Sequence, residues 1–156
     1  MSKTNRFRTT GFIALGEPPA RRSILAATVD IAKGDILHDD GNGKATNAIT
    51  AFAATCLGVA AAPCNNTPDA SLSVEYYPLD TKTQYIVPVG SNAVITQTII
   101  GTKIDMYTVN TIDISNTTTE GVAFFVDEID ASAAAVAINT YGYAIGHFVV
   151  VATQAG

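Results

Sequence analysis

A chain of 156 residues, 47% hydrophobic and only 15% charged, is long enough to bury one core, and that composition excludes a disordered, solvating chain. No apolar run reaches about 18 residues, so no helix-length membrane span is present. The formal net charge of −5 is unevenly placed: five of nine Lys and Arg fall in the first 22 residues beside a single acid, Glu17, whereas the other four face thirteen acids in the remainder.

Residues 1–22 read as an extended basic N-terminal arm, with Pro18-Pro19 biasing it away from helix, and residues 23–156 as the body. The arm's Phe7, Phe12, Ile13 and Leu15 have no evident core of their own, so they are expected to be exposed until they meet a partner. Arg6, Arg8, Arg21 and Arg22 supply the charge that would steer the arm to an acidic surface. The leader also lacks the uninterrupted apolar stretch of a secretory signal, which places synthesis in a cytosol. Nucleic acid is not expected as a partner, because the acidic body would repel phosphates.

From Ile24 onward strand signals follow one another. Ile and Val number 28 against six Leu, and Thr adds 20 more β-branched residues, a bias toward pleated strands. Ile36 to Ala48 reads as a hairpin around Asp39-Asp40-Gly41-Asn42-Gly43, whose residues tolerate positive φ. Ala51 to Ala62 is ambiguous, either a helical turn or two followed by a short strand at Leu57-Gly58-Val59-Ala60. Pro63 to Ala70 is a polar loop. Leu72, Val74 and Tyr76 share one strand face; Tyr85, Val87 and Val89 share another, with Pro88 marking an edge strand or a strand end. Gly90-Ser91-Asn92 turns the chain into a strand over Ala93 to Ile100, and two short strands follow around Ile104 to Thr108 and Ile112 to Ile114. Ser115 to Gly121 is expected to be a loop, Val122 to Val126 a strand, Asp127 to Asp130 an acidic, solvated connection, and Tyr143 to Val151 the last strand. Eight to ten short strands with turn signals between them imply a single all-β domain, a compact barrel or sandwich.

Catalytic signatures are not evident. There is no Gly-x-Ser-x-Gly elbow, no phosphate-cradling glycine loop, no His-Glu-x-x-His and no Cys-x-x-Cys. His38 and His147 read as ordinary structural histidines, and Cys56 and Cys64 as two small semi-buried thiols. Asp40 to Lys44 fails as a calcium loop because Lys44 stands where an oxygen donor is required. The chain therefore reads as non-enzymatic, with no catalytic, cofactor or metal residues assigned.

The order Lys33-Gly34-Asp35-Ile36, a hairpin ending in Ala45, Leu57-Gly58-Val59-Ala60, Val87-Pro88-Val89-Gly90 and a closing Tyr143-Ala144-Ile145-Gly146 strand resembles the capsid decoration, or cement, proteins of tailed phages, over roughly Ser23 to Val151. The resemblance implies a β-barrel or β-tulip body, often a homotrimer, located on the capsid surface of a virion and bound to the major capsid protein through its N-terminal arm. In that reading Arg6, Arg8, Arg21 and Arg22 meet acidic capsid residues while Phe7, Phe12 and Ile13 fill apolar grooves. Two other readings stay open: a carbohydrate- or receptor-binding β-module of a head fibre or tail tip, and a self-assembling shell or tube subunit.

Overall fold

The computed structural model describes residues 11–48, 52, 55–65, 72–90, 93–117 and 121–151. Among the described residues the fold is all-β apart from one short helix and a 3-10 turn, in keeping with the β-branched composition. A six-stranded sheet runs in the order β1 (Ile13–Leu15), β9 (Gln84–Pro88), β13 (Tyr143–Val151), β12 (Gly121–Asp130), β10 (Lys103–Thr108) and β11 (Thr111–Thr117). A five-stranded sheet runs β2 (Arg22–Leu25), β8 (Ser73–Pro78), β6 (Cys56–Ala60), β4 (Ile36–Asp39) and β5 (Ala45–Thr46). A third, two-stranded sheet pairs β3 (Asp30–Ile31) with β7 (Cys64–Asn65).

The sheets are open rather than closed by a continuous ladder. The six-stranded sheet nevertheless curls until residues from opposite parts of it touch, in a single parallel bridge between Val89 and Ile112 supported by the Gly90 N–H donating to the Ile112 carbonyl at 2.9 Å. Curling of this degree follows from the twist of the long β12–β13 ribbon, which carries a bulge between Val126 and Glu128.

The main core lies on the concave side of the six-stranded sheet, where Tyr85, Val87, Ile104, Met106, Phe124, Val126 and Phe148 meet Ile36 and Val59 of the second sheet. Alternation along β4 and β6 sends Leu37 and Ala60 the other way, into a second cluster with Ala26, Ile31, Val74 and Tyr76. The five-stranded sheet is thus buried on both faces at its centre, which explains the unbroken apolar run Ile36-Leu37. The outer face of the large sheet is partly covered by α1 (Ala133–Ile138), whose Ala135 packs with Ile86, Tyr143 and Ile145.

Gly146 makes the β12–β13 ribbon possible. A Cβ there would overlap the Phe125 carbonyl oxygen and the Phe124 ring. Gly146→Val is expected to destabilise the protein by about 1–3 kcal/mol or more through overpacking, read as a fall in the urea midpoint; an unchanged midpoint would contradict this packing.

Several sequence expectations are met by particular residues. The 36–48 hairpin forms, with His38 opposite Thr46 and Asp39 opposite Ala45, and Asp39 and Asp40 accept from the N–H groups of Gly41 and Asn42 at 2.7 and 2.8 Å. The last strand spans Tyr143–Val151 as expected. Pro88 ends an internal strand, opposite Tyr143, where its missing N–H costs no long run of ladder.

Other expectations are corrected. Ala93 to Ile100 forms no strand; it contains a 3-10 turn at Gln97–Ile99, anchored by buried Ile95 and by Thr102 Oγ1 donating to the Ile99 carbonyl. The expected loop from Ser115 begins as the polar end of edge strand β11, and residues 118–120 lie outside the described set. The acidic connection is instead the second half of β12, after which Ser132 caps α1 by accepting from the Ala135 N–H at 3.3 Å. Much of Ala51 to Cys56 and of the Pro63 to Ala70 loop also lies outside the described residues.

The largest correction concerns the arm. Residues 11–22 belong to the body: Phe12 is 2% exposed, Ile13–Leu15 pair with β9, and Arg22 begins a strand paired with β8. The sequence segment lacked a core of its own only because its core is supplied by residues distant in sequence, from Phe52 to Phe148.

Candidate functional site

The surface built by the first described residues is the natural place to begin, because the charge asymmetry centres there. Gly11 adopts φ 84° and packs against the Gly34 backbone so closely that a Cβ would stand 2.8 Å from the Gly34 oxygen. This turn aims Phe12 inward, and the Phe12 N–H donates to the Gly34 carbonyl at 3.0 Å. Ile13 and Leu15 then pack on the small outer cluster beside Ile86 and Ile145. Phe12 is not placed to fill a groove on a partner, because aromatic rings enclose it, whereas Ile13 is half-buried and borders an open surface.

Arg21 and Arg22 remain outside. Arg21 Nη1 donates to Glu75 Oε2 at 3.0 Å, and its guanidinium lies 5.5 Å from the centre of the Tyr77 ring. Arg22 is exposed on β2, opposite Tyr76. The structure therefore joins Arg21 and Arg22 on one sheet edge and separates them from Phe12 and Ile13. Arg6, Phe7 and Arg8 lie outside the described residues.

Beside this edge is an open groove of about 160 Å³, with Ile13, Ala14 and Gly16 on one wall and Lys33, Ala60 and Tyr77 opposite. It runs along β1, the outermost strand of the six-stranded sheet, which among the described residues pairs with β9 alone. The Lys33 turn is fixed from beneath by Asp35, whose carboxylate accepts from the Ala32 N–H at 2.9 Å and from Asn47 Nδ2 at 3.0 Å. Burial pushes the Asp35 carboxyl above the ordinary range, and those two hydrogen bonds counter it in part.

Two polar arrangements were not legible as such in the sequence. On the outer face of the large sheet, His147 Nδ1 and Asp127 Oδ2 lie 2.8 Å apart, with both side chains about 70% covered, and Gln84 Nε2 reaches the same carboxylate oxygen at 3.4 Å. Asp127 sits at the β12 bulge, two residues beyond the Phe125 that faces His147, and so is not part of a solvated turn. A carboxylate on Nδ1 fixes the orientation of an imidazole, half of what a nucleophilic triad requires. Among the described residues no Ser, Thr or Cys side chain is hydrogen-bonded to His147, so the pair fixes the imidazole but activates no described nucleophile.

The second arrangement is His38, fully buried, with neither ring nitrogen hydrogen-bonded among the described residues. Burial lowers its pKa, opposed by the negative charge of Asp105. Its strand neighbour across the β4–β6 irregularity is Cys56, a free thiol that burial pushes up to about 12. Cys64 is likewise free. Among the described residues no three His, Cys, Asp or Glu side chains converge as a metal site, and Asp130 is occupied in accepting from the Ser132 N–H at 3.0 Å. No described helix is long and apolar enough to cross a membrane.

No protein-family model, no curated protein and no solved structure matches the chain.

Proposed function

We propose that this chain is a non-enzymatic structural subunit of a virus particle, which binds the outer surface of a phage head and stabilises the capsid by bridging neighbouring capsomers. The observation that carries this reading is the division of charge along the chain: Lys3, Arg6, Arg8, Arg21 and Arg22 precede a body in which acids outnumber cations by more than three to one. Opposite fields steer association and fix register, and a body whose sheets are held by its own cores can serve as a rigid spacer between tiles. The resemblance to decoration proteins supplies the class of partner, a major capsid protein, and a homotrimer would let three modest contacts act together. The correction to the arm narrows the contact. Phe12 is withdrawn from it, leaving the basic residues 3–8 with Phe7, half-buried Ile13, and the exposed Arg21 and Arg22.

The test is co-sedimentation with DNA-filled heads stripped of their own copy of the chain. Deleting residues 1–10 and replacing Arg21 and Arg22 by Glu should reduce the head-bound fraction at least about tenfold at low salt, with less difference at high salt. Undiminished binding by that variant would refute the charge-led contact.

A further inference from the structure

The groove along β1 has a feature that the charge-led contact does not use: one wall is the outer edge of a β-sheet, which beyond the Phe12–Gly34 hydrogen bond carries no further strand among the described residues. We propose that this groove is a docking site for an extended, acidic segment of a partner protein, which adds to the six-stranded sheet as a strand outside β1. This goes beyond the capsid reading, and it holds for a partner of any origin.

Backbone groups alternate sides along a strand. Phe12 donates its N–H to Gly34 rather than to β9, so the N–H and carbonyl two residues on, at Ala14, also point away from β9 and toward the groove. An extended peptide can ladder onto such an edge, gaining affinity from main-chain hydrogen bonds and selectivity from the side chains it meets. The opposite wall provides the selectivity. Among the described residues Lys33 is the one charged residue lining the groove, it is exposed, and no acidic residue lines it. Arg21 stacks on the lining Tyr77 and adds a second cation at the rim, partly balanced by Glu75. Ala60 and Tyr77 leave an apolar floor for alternate side chains of the guest. A segment alternating apolar and acidic residues fits both walls.

Charge also decides against the other occupants. The chain's own leader carries Lys3, Arg6 and Arg8 and would meet Lys33 and Arg21 with like sign. A second copy joined edge to edge at β1 would bring two such lysine-bearing walls together.

The probe is a fluorescein-labelled peptide of alternating valine and glutamate, about eight residues long, titrated against the full chain at low salt and followed by anisotropy. Saturable binding with a Kd below about 100 μM is expected. It should weaken at least about tenfold in Lys33→Glu, and by a similar factor when alternate peptide nitrogens are methylated, since such a peptide cannot ladder. Ala14→Pro should block the same edge from the protein's side, because the N–H it removes faces away from β9; the methylated peptide decides the matter if that variant does not fold. Absence of binding at about 1 mM peptide, equal binding of a valine-lysine peptide, or equal binding of the methylated peptide would each overturn the proposal. Failure here with retained head binding leaves the capsid reading standing, and peptide binding by a chain that ignores heads leaves the groove standing.

Discussion

Phe12→Ala is expected to lower stability by about 3–5 kcal/mol, the usual cost of removing a buried aromatic ring. Phe12 is 2% exposed and lies at 5.5 Å from both Phe124 and Phe148 and 6.5 Å from Phe52 and Tyr85, measured between ring centres. The Tyr85 and Phe124 pairs are close to edge-on, the arrangement that adds quadrupole attraction to buried area. Few routes exist for this site to collapse, because its neighbours come from three different strands of the large sheet, each fixed by its own ladder. Urea unfolding would read the loss as a lower midpoint at unchanged slope. A loss below about 1 kcal/mol would mean that the ring does not fill this core. The same measurement separates a leader that is an ornament from one that is structural: removal of residues 1–16 takes away Phe12 and all of β1, and it should prevent folding outright.

His38→Leu is expected to have the opposite sign. The imidazole is fully buried and both nitrogens lack a hydrogen-bond partner among the described residues, and a buried polar group left unpaired costs about 1–3 kcal/mol. Replacing it by an apolar side chain of similar size should recover about that amount near neutral pH. The pH dependence follows from the same burial. The folded-state pKa of His38 lies below the ordinary 6.5, the charge of Asp105 opposing the shift and the neighbouring Cys56 thiol staying neutral. The unfolded chain therefore takes up the proton first. Stability is complete above about pH 6.5 and declines as pH falls toward the folded-state pKa, with a slope approaching about 1.4 kcal/mol per pH unit. Asp35 contributes with reversed sense: its carboxyl is raised by burial, so its neutral form favours folding, and that benefit is lost as pH rises from about 4 through the folded-state value. Urea midpoints of the wild type and His38→Leu between about pH 7 and pH 5 would check this, since the variant should lack most of the decline. Parallel curves would show that another group governs acid sensitivity.

What could be read in advance was local. Tyr143–Val151 is a nearly continuous apolar run rich in Val and aromatics and bounded by Gly142, and the 36–48 hairpin carries its own turn chemistry in Asp39, Asp40, Gly41 and Gly43; both stand in the structure as the sequence implies. The leader could not be read that way. Phe12 to Leu15 is too short to show a period, and its apolar residues make sense only once Gln84–Pro88 lies alongside them. Residues 93–100 failed for a related reason: their apolar residues suggest a strand, but no neighbouring ladder takes them up and only Ile95 is fully buried. In the His147–Asp127 pair, Asp127 sits at a bulge in one strand, a feature that leaves no mark in composition. For the candidate docking surface, Arg21 and Arg22 were visible as charge, whereas the groove and its strand edge required knowing which sheet residues 13–15 join.

The strand order of the large sheet bears on how the chain is born. β9 lies between β1 and β13, so the central strand of that trio waits for one neighbour drawn from the first residues described and another from the last. Phe148 enters the aromatic cluster from the last strand described, which means that a ribosome must release the chain through that strand before the main core can close. Loop closure over such separations is slow, on the scale of milliseconds to seconds for β-rich topologies, and until it happens the edges of β1 and β9 stand open to neighbours on the same messenger.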